Sequence, residues 1–419
     1  MASTLWTAMS PGEPARRGKL SMDFKQYIKD VTSLPIAKEL AFSESEYRLR
    51  IENVRKVMDE RGLDALLVTY APDLSYLSGY QSFGTGWYGC MVLPREGEPV
   101  LHMHGLEIGP TMITSWVKDI RGVSWSYNDG VAGDLADILK ELRLEGRRIG
   151  VYTKRPGLSV DIYEGLKRAL RGATLIESSD VVAQPRMIKS PSELEYMRSS
   201  AQITMKALDA VLPVIKAGIT DNQIAAVIYQ TLVNEGSEYF STQPIVSAGQ
   251  RNCFGHTTFR RTFIQAGDTV AVEFGAAFQR YTSAVFHTVS IGKPSPLVAK
   301  RAKVINETLD LLLHAVKPGR IAHDVAREIG AGMNEISGMP SSSFVYGYSI
   351  GLGLPPTWSE DIYFIRDGIE LELKPGMTFH SPLTVRVPGT PGIGFSETWV
   401  VTETGCEILT IHDRELTVA

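Results

Sequence analysis

Residues 214–236, VIKAGITDNQIAAVIYQTLVNEG, are echoed by residues 315–338, AVKPGRIAHDVAREIGAGMNEISG. Each copy opens on a Lys-x-Gly turn and continues as an amphipathic helix with Ile or Val and Ala at matching places. Each follows a long helical stretch and precedes strand-like runs. Such self-similarity points to a duplicated helix-plus-strand unit, whose two copies pack about a pseudo-two-fold axis and leave a shared cleft.

The segment before the first copy has a clear start signal. Ser190 stands as N-cap, Pro191 takes the first helical position and Glu193 closes a capping box, so a long helix opens this second domain. Further upstream, Ser43-x-x-Glu46 has the same form, followed by Tyr47, Ile51, Val54 and Met58 at helical spacing. Strand-like runs then alternate with helical ones (ALLVTY, CMVLP, PVLHMH, VAGDLADILKELR, RIGVYT, TLIESSD), which predicts an α/β first domain. The reading divides the chain into a loose arm over 1–41, a first domain over 42–183 and a second over 184–419.

Composition narrows the function. A formal charge of -4 over 419 residues, with no long single-sign run, lacks the footprint of a nucleic-acid binder. Small-molecule chemistry is expected instead. Cys90, Cys253 and Cys406 are far apart and form no ligand-spaced pair, which speaks against a disulfide framework and a structural zinc site and fits a reducing cytoplasm. The polar, Pro/Gly-rich start lacks the apolar core of a signal peptide, and no stretch is apolar enough to span a bilayer.

Taken together, the duplication, the linker PRMIKSPSELEYMR, and the later runs CFGHTTF, AGDTVAVEFG, YGYSIGLGLPP and ELKPGMTFHSP resemble the pita-bread family of methionine aminopeptidases, prolidases and creatinase. The resemblance covers roughly 42–410. It implies an α/β creatinase-type N-terminal domain followed by an α+β pita-bread domain. In the peptidases of that family five side chains hold two metal ions, and carrying them over gives Glu273, Ala284, Tyr348, Ser381 and Glu397. Two oxygen donors in five do not suit a dinuclear centre, so no metal and no other cofactor is expected. Creatinase is the branch that works without metal, and YQSFGTGWYG is similar to its loop that reaches into a neighbouring subunit, which implies a homodimer with Phe83 at the partner's site. The arginine that follows that loop's Ser-Phe-Gly in creatinase is Thr85 here. GYSIGLGLPPTWSE and ELKPGMTFH, with glutamate at 273, look closest to the ectoine hydrolases.

The chemistry expected of the surviving groups follows. Two facing carboxylates, Glu273 and Glu397, repel unless a cation lies between them, and a planar amidinium or guanidinium would supply it. A small zwitterionic or cationic substrate is therefore expected. His256 would carry the proton, Glu273 would attack carbon or activate water, Glu397 would anchor the substrate cation or activate the second-step water, and Tyr348 would donate to a substrate oxygen or tetrahedral centre. Trp358 would cover a cation with its ring. His287 and His380 would line the cleft, and Arg260 or Arg261 would replace the missing carboxylate clamp. The leading expectation is a metal-independent hydrolase of a C–N bond, ectoine-like before creatine-like. The alternatives are a metal-dependent lyase or Xaa-Pro peptidase, and a non-catalytic binding module.

Overall fold

The computed structural model describes residues 24–123, 130–340 and 343–419. The first sheet contains β1 (Ala65–Val68), β2 (Gly89–Pro94), β3 (Val100–His104), β4 (Asp119–Val123), β5 (Arg148–Val151) and β6 (Thr174–Glu177), in spatial order β4-β3-β2-β1-β5-β6. It is mixed: β1 pairs antiparallel with β2 and parallel with β5. All four residues of β1 are buried, as expected of a central strand covered on both faces. Residues 1–23 of the expected loose arm lie outside the described residues; Phe24–Thr32 of that arm form a helix, and Ile28 on it is buried against the Gly122 backbone of β4. At the next helix, Glu44–Glu60, Ser43 caps the Glu46 amide, but the Glu46 carboxylate turns to Arg50 and Ser190 instead of closing the box.

The second domain is built on a nine-stranded sheet. Its strands are β7 (Ile245–Ala248), β8 (Thr269–Phe278), β9 (Tyr281–Ser290), β10 (Gly347–Leu354), β11 (Thr357–Ile365), β12 (Thr378–Val385), β13 (Ile393–Val401), β14 (Cys406–Ile408) and β15 (Thr417–Val418). The order runs β14-β13-β12-β10-β9-β8-β7, with β11 on β10 and β15 on β9. Both halves of the expected capping box at Ser190 and Glu193 are present, opening the helix Pro191–Val211. Thr220 and Gln223 form a second box at the helix Asp221–Asn234.

The two copies of the repeat each lay helices on one lobe of the sheet. Ile203, Leu208, Ile224 and Ile228 pack on Val272 and Phe274 in the first lobe. Ile305, Leu309 and Val325 pack on Phe379 and Trp399 in the second, where the two rings stack at 4.5 Å. The copies differ in one respect. The second helix is broken at Gly330 into Ala322–Ile329 and Ala331–Ser337, where Gly332 lets the backbone approach Val304 of the helix Pro296–Ala315. Because strand side chains alternate, residues not facing these helices face the opposite surface of the sheet, and there the cleft lies.

Arg186, from the linker helix Ala183–Arg186, joins the domains. Its guanidinium reaches Asp73 of the first domain at 2.6 Å and Glu360 of β11 at 2.8 Å, while Lys189 meets the other Glu360 oxygen at 2.7 Å. All four side chains are sealed from solvent. The burial that would raise the Glu360 carboxyl is outweighed by Lys189 and Arg186, which hold it below the usual carboxylate range.

Candidate active site

A cleft of about 730 Å³ opens on the sheet face opposite the helices, lined by Glu273, His256, Tyr348 and Trp358 with the Pro355-Pro356 turn at its rim. Glu273 sits mid-strand on β8. Its neighbours Val272 and Phe274 point into the helical core, so the carboxylate points the other way, into the cleft. Only 8% of its surface is exposed, and burial pushes the carboxyl up to about 7 against the pull of Arg386. A carboxyl poised there exchanges a proton near neutrality.

Tyr348 on β10 lies directly across from His380 on β12. Four side chains form a chain of hydrogen bonds: Trp358 Nε1 donates to Tyr348 Oη at 2.9 Å, Tyr348 Oη meets His380 Nδ1 at 3.0 Å, and His380 Nε2 meets Ser396 Oγ at 2.8 Å. Ser396 Oγ also accepts the Phe286 amide at 2.6 Å. Burial pushes the His380 imidazole down to about 3, so it is neutral and carries one proton. One arrangement of that proton satisfies every buried group: Ser396 Oγ accepts from Phe286, its own hydrogen goes to Nε2, its one acceptor among the described residues, and Nδ1–H donates to Tyr348 Oη. Tyr348 Oη then accepts twice and its hydroxyl hydrogen is free for the cleft. Burial, and then the Glu273 charge, raise the phenol far above its ordinary range, which keeps it a neutral donor.

His256 stands in a turn, with φ of 58° in the left-handed region that histidine tolerates better than most side chains. Its ring is exposed at the cleft wall.

Several expected site residues lie elsewhere. Glu397 does not face Glu273. On β13 it pairs with Ser381 of β12, and Trp399, two residues on, donates to Ser381 from the helical side. The Glu397 carboxylate accepts from Thr410 at 2.9 Å and meets Arg414 at 3.3 Å and His412 at 3.7 Å. Burial pushes it up to about 8 against Thr410 and Arg414. The cleft-facing pair is one residue over in each strand, Pro382 opposite Ser396. His287 also faces away, bonding Thr417 at 2.9 Å and lying edge-on to Phe395. Arg260 is exposed, and its amide caps Asp221 outside the cleft. Phe83 is 71% exposed and stacks on Tyr239 beside a separate, smaller cavity rather than entering the cleft of its own chain.

Two residues that the sequence reading passed over belong to this face. Ser396 was hidden by the single-residue offset on β13; the alternation of Phe395 and Trp399 as core residues is the signal that places it. Arg386 follows β12 at the same parity as His380, and its guanidinium lies 5.3 Å over the Phe286 ring.

Residues 50–188 match the creatinase/prolidase N-terminal domain, and residues 195–403 match metallopeptidase family M24. The ectoine hydrolase of Halomonas elongata is 28% identical over 395 residues, spanning 90% of this chain and 98% of that protein. The Xaa-Pro dipeptidase of Pyrococcus furiosus is 23% identical across 88% of this chain and 99% of its own length. Among solved structures, the dipeptidase PepE of Mycobacterium ulcerans superposes with a TM-score of 0.77 at 26% identity, covering 90% of this chain and 99% of that one.

The metallopeptidase likeness implies a metal centre, and the donors present bear on it directly. The cleft face offers one buried carboxylate, a phenol, a serine and an imidazole with both nitrogens engaged. Among the described residues, no group of three or more His, Cys, Asp or Glu side chains is placed to hold a metal ion. That donor set does not fit a dinuclear centre, which needs bridging carboxylates to balance two cations.

Proposed function

Because the chain joins a creatinase/prolidase-type domain to an M24-type domain of pita-bread fold, we propose that it is a metal-independent hydrolase of a C–N bond. Its substrate is a small zwitterionic amidine or guanidine compound, a cyclic amidine of the ectoine type first. The observation that carries this reading is the pairing in one cleft of Glu273, poised at about 7, with the Tyr348 hydroxyl held as a neutral donor.

In this scheme the amidinium lies against the Glu273 carboxylate, whose planar pair of oxygens matches its N–H donors. Ionised Glu273 attacks the amidine carbon or takes a proton from the attacking water. Tyr348 donates to the tetrahedral centre as it forms. His256, at the cleft wall, delivers a proton to the departing nitrogen. In a cyclic amidine water breaks one ring C–N bond and leaves an amide and a free amine in one product heavier by one water; an open-chain guanidine would instead part into a urea and an amine. The indole of Trp358, 4% exposed, closes the wall that would face the cation.

Likeness to an Xaa-Pro dipeptidase over 88% of the chain favours a second reading, a metal-dependent peptidase. One experiment separates them. Chelator-treated protein is incubated with ectoine, creatine and Ala-Pro, with and without added manganese, zinc or cobalt, and products are followed by mass. Metal-independent gain of one water on the amidine supports the proposal; Ala-Pro cleavage that needs metal overturns it.

We further place a second subunit against the exposed loop carrying Phe83 and Trp87, with the cytoplasm as its compartment. Sedimentation as a monomer would remove the dimer. Among the described residues, no helix is long and apolar enough to cross a membrane.

A further inference from the structure

Arg386 is half-buried, yet among the described residues none comes within ion-pair or hydrogen-bond distance of its guanidinium. Unpaired arginines in a closed setting are uncommon, because desolvating the charge without a partner is costly. The surroundings hold it there. Its guanidinium lies over Phe286, the residue directly across from Glu273 on the β8–β9 ladder. Gly394 leaves room for the Phe286 ring, since a Cβ there would come within 2.8 Å of it. Gly255, next to His256, leaves room for the guanidinium itself, where a Cβ would stand 3.3 Å from Nη1. Glu273 and Arg386 feel each other's charge without touching, so a basic group lies beside the cleft, next to Phe286 and Gly255, with a gap between it and the Glu273 carboxyl that lines the cleft.

We propose that Arg386 is the anion clamp of the substrate: it takes the carboxylate of a zwitterion whose cationic end lies against Glu273. The planar fork of an arginine suits two carboxylate oxygens, and stacking on Phe286 fixes its plane. This role fills the place expected of Arg260, which lies outside the cleft. The inference rests on the hydrolase reading for the amidine end of the substrate only; the clamp itself requires only a carboxylate.

The test is binding by calorimetry to three acid and ester or amide pairs: ectoine and its methyl ester, creatine and its methyl ester, Ala-Pro and Ala-prolinamide. The protein is used as wild type, Arg386→Met and Arg386→Lys, with thermal unfolding as the check on folding. In the wild type the acid of at least one pair binds at least tenfold more tightly than its neutral partner. Arg386→Met abolishes that preference while leaving the neutral partner's affinity within about threefold, and Arg386→Lys retains part of it. If the preference is seen only for Ala-Pro, the clamp stands and the amidine reading falls. If no pair shows an acid preference, binding to neither included, or if the preference survives in Arg386→Met, the clamp is overturned.

Discussion

Tyr348 and His380 face each other across β10 and β12, with Oη 3.0 Å from Nδ1, and the direction of that bond decides what the cleft can do. The proton sits on Nδ1 when the buried Ser396 hydroxyl, which accepts from Phe286, gives its hydrogen to Nε2, its one acceptor among the described residues. Trp358 supplies the second bond to the same oxygen, so both acceptor positions of the phenol are filled from behind. A donor held this way needs no reorganisation when charge develops in front of it, which is the condition for strong transition-state stabilisation.

Tyr348→Phe therefore removes the donor while keeping the ring. We expect kcat on the amidine substrate to fall by about 10²-fold or more, with KM changed by less than about threefold. Steady-state kinetics check it. An unchanged kcat would mean that the hydroxyl faces no reacting atom.

Glu273→Gln is expected to abolish hydrolysis, because the amide neither attacks nor takes a proton. In the wild type the acid limb of kcat/KM should rise with pH through about 7, where Glu273 loses its proton in the free enzyme. Stability runs the other way. A carboxyl whose folded value lies above its unfolded one contributes stability below about 4.5 that is lost as pH rises toward 7. Glu273→Gln should thus unfold at higher temperature than the wild type at pH 8 and show no such gain at pH 4.

The fold was legible in the sequence because its signals are local. The Ser190-Pro191-Glu193 start and the repeated Lys-x-Gly helix both report on backbone geometry within a few residues. Glu273 was legible for the same reason, since Val272 and Phe274 flank it as core residues. Glu397 was not. Along GFSETWV every residue is fully enclosed, so no polar alternation marks the cleft face, and a slip of one residue moves a side chain through the sheet. The break at Gly330 and the pairing of Phe286 with Arg386 depend on contacts between distant segments, which no local pattern encodes.

Glu397→Gln tests that slip directly. Since Glu397 lies with Thr410, Arg414 and His412 on the far face, kcat and KM should stay within about threefold of wild type, whereas Glu273→Gln is inactive. The Glu397 carboxyl, pushed up to about 8 by burial, also favours the fold at low pH and loses that contribution as pH rises from about 4.5 to 8. Unfolding midpoints measured at pH 5 and pH 8 should therefore drop less in Glu397→Gln than in the wild type. Loss of activity at unchanged stability would return Glu397 to the chemistry.

Glu360→Gln concerns the joint between the domains. Glu360 accepts Arg186 and Lys189 together, both enclosed, so the amide leaves Lys189 without its carboxylate partner and Arg186 with Asp73 alone. Replacing such a pair wholesale with apolar groups can be neutral, but removing one member strands the other and costs about 3–5 kcal/mol. We expect denaturant unfolding to shift by that amount. The loss should shrink on acidification, because the lowered Glu360 carboxyl contributes stability above about 4.5 that disappears as pH falls through its folded value. Activity per folded molecule should persist at low temperature, since Glu360 is engaged by Arg186 and Lys189 and is not among the side chains that line the cleft. A variant of wild-type stability would mean that Asp73 alone satisfies Arg186 and that the domains are held by their apolar contacts.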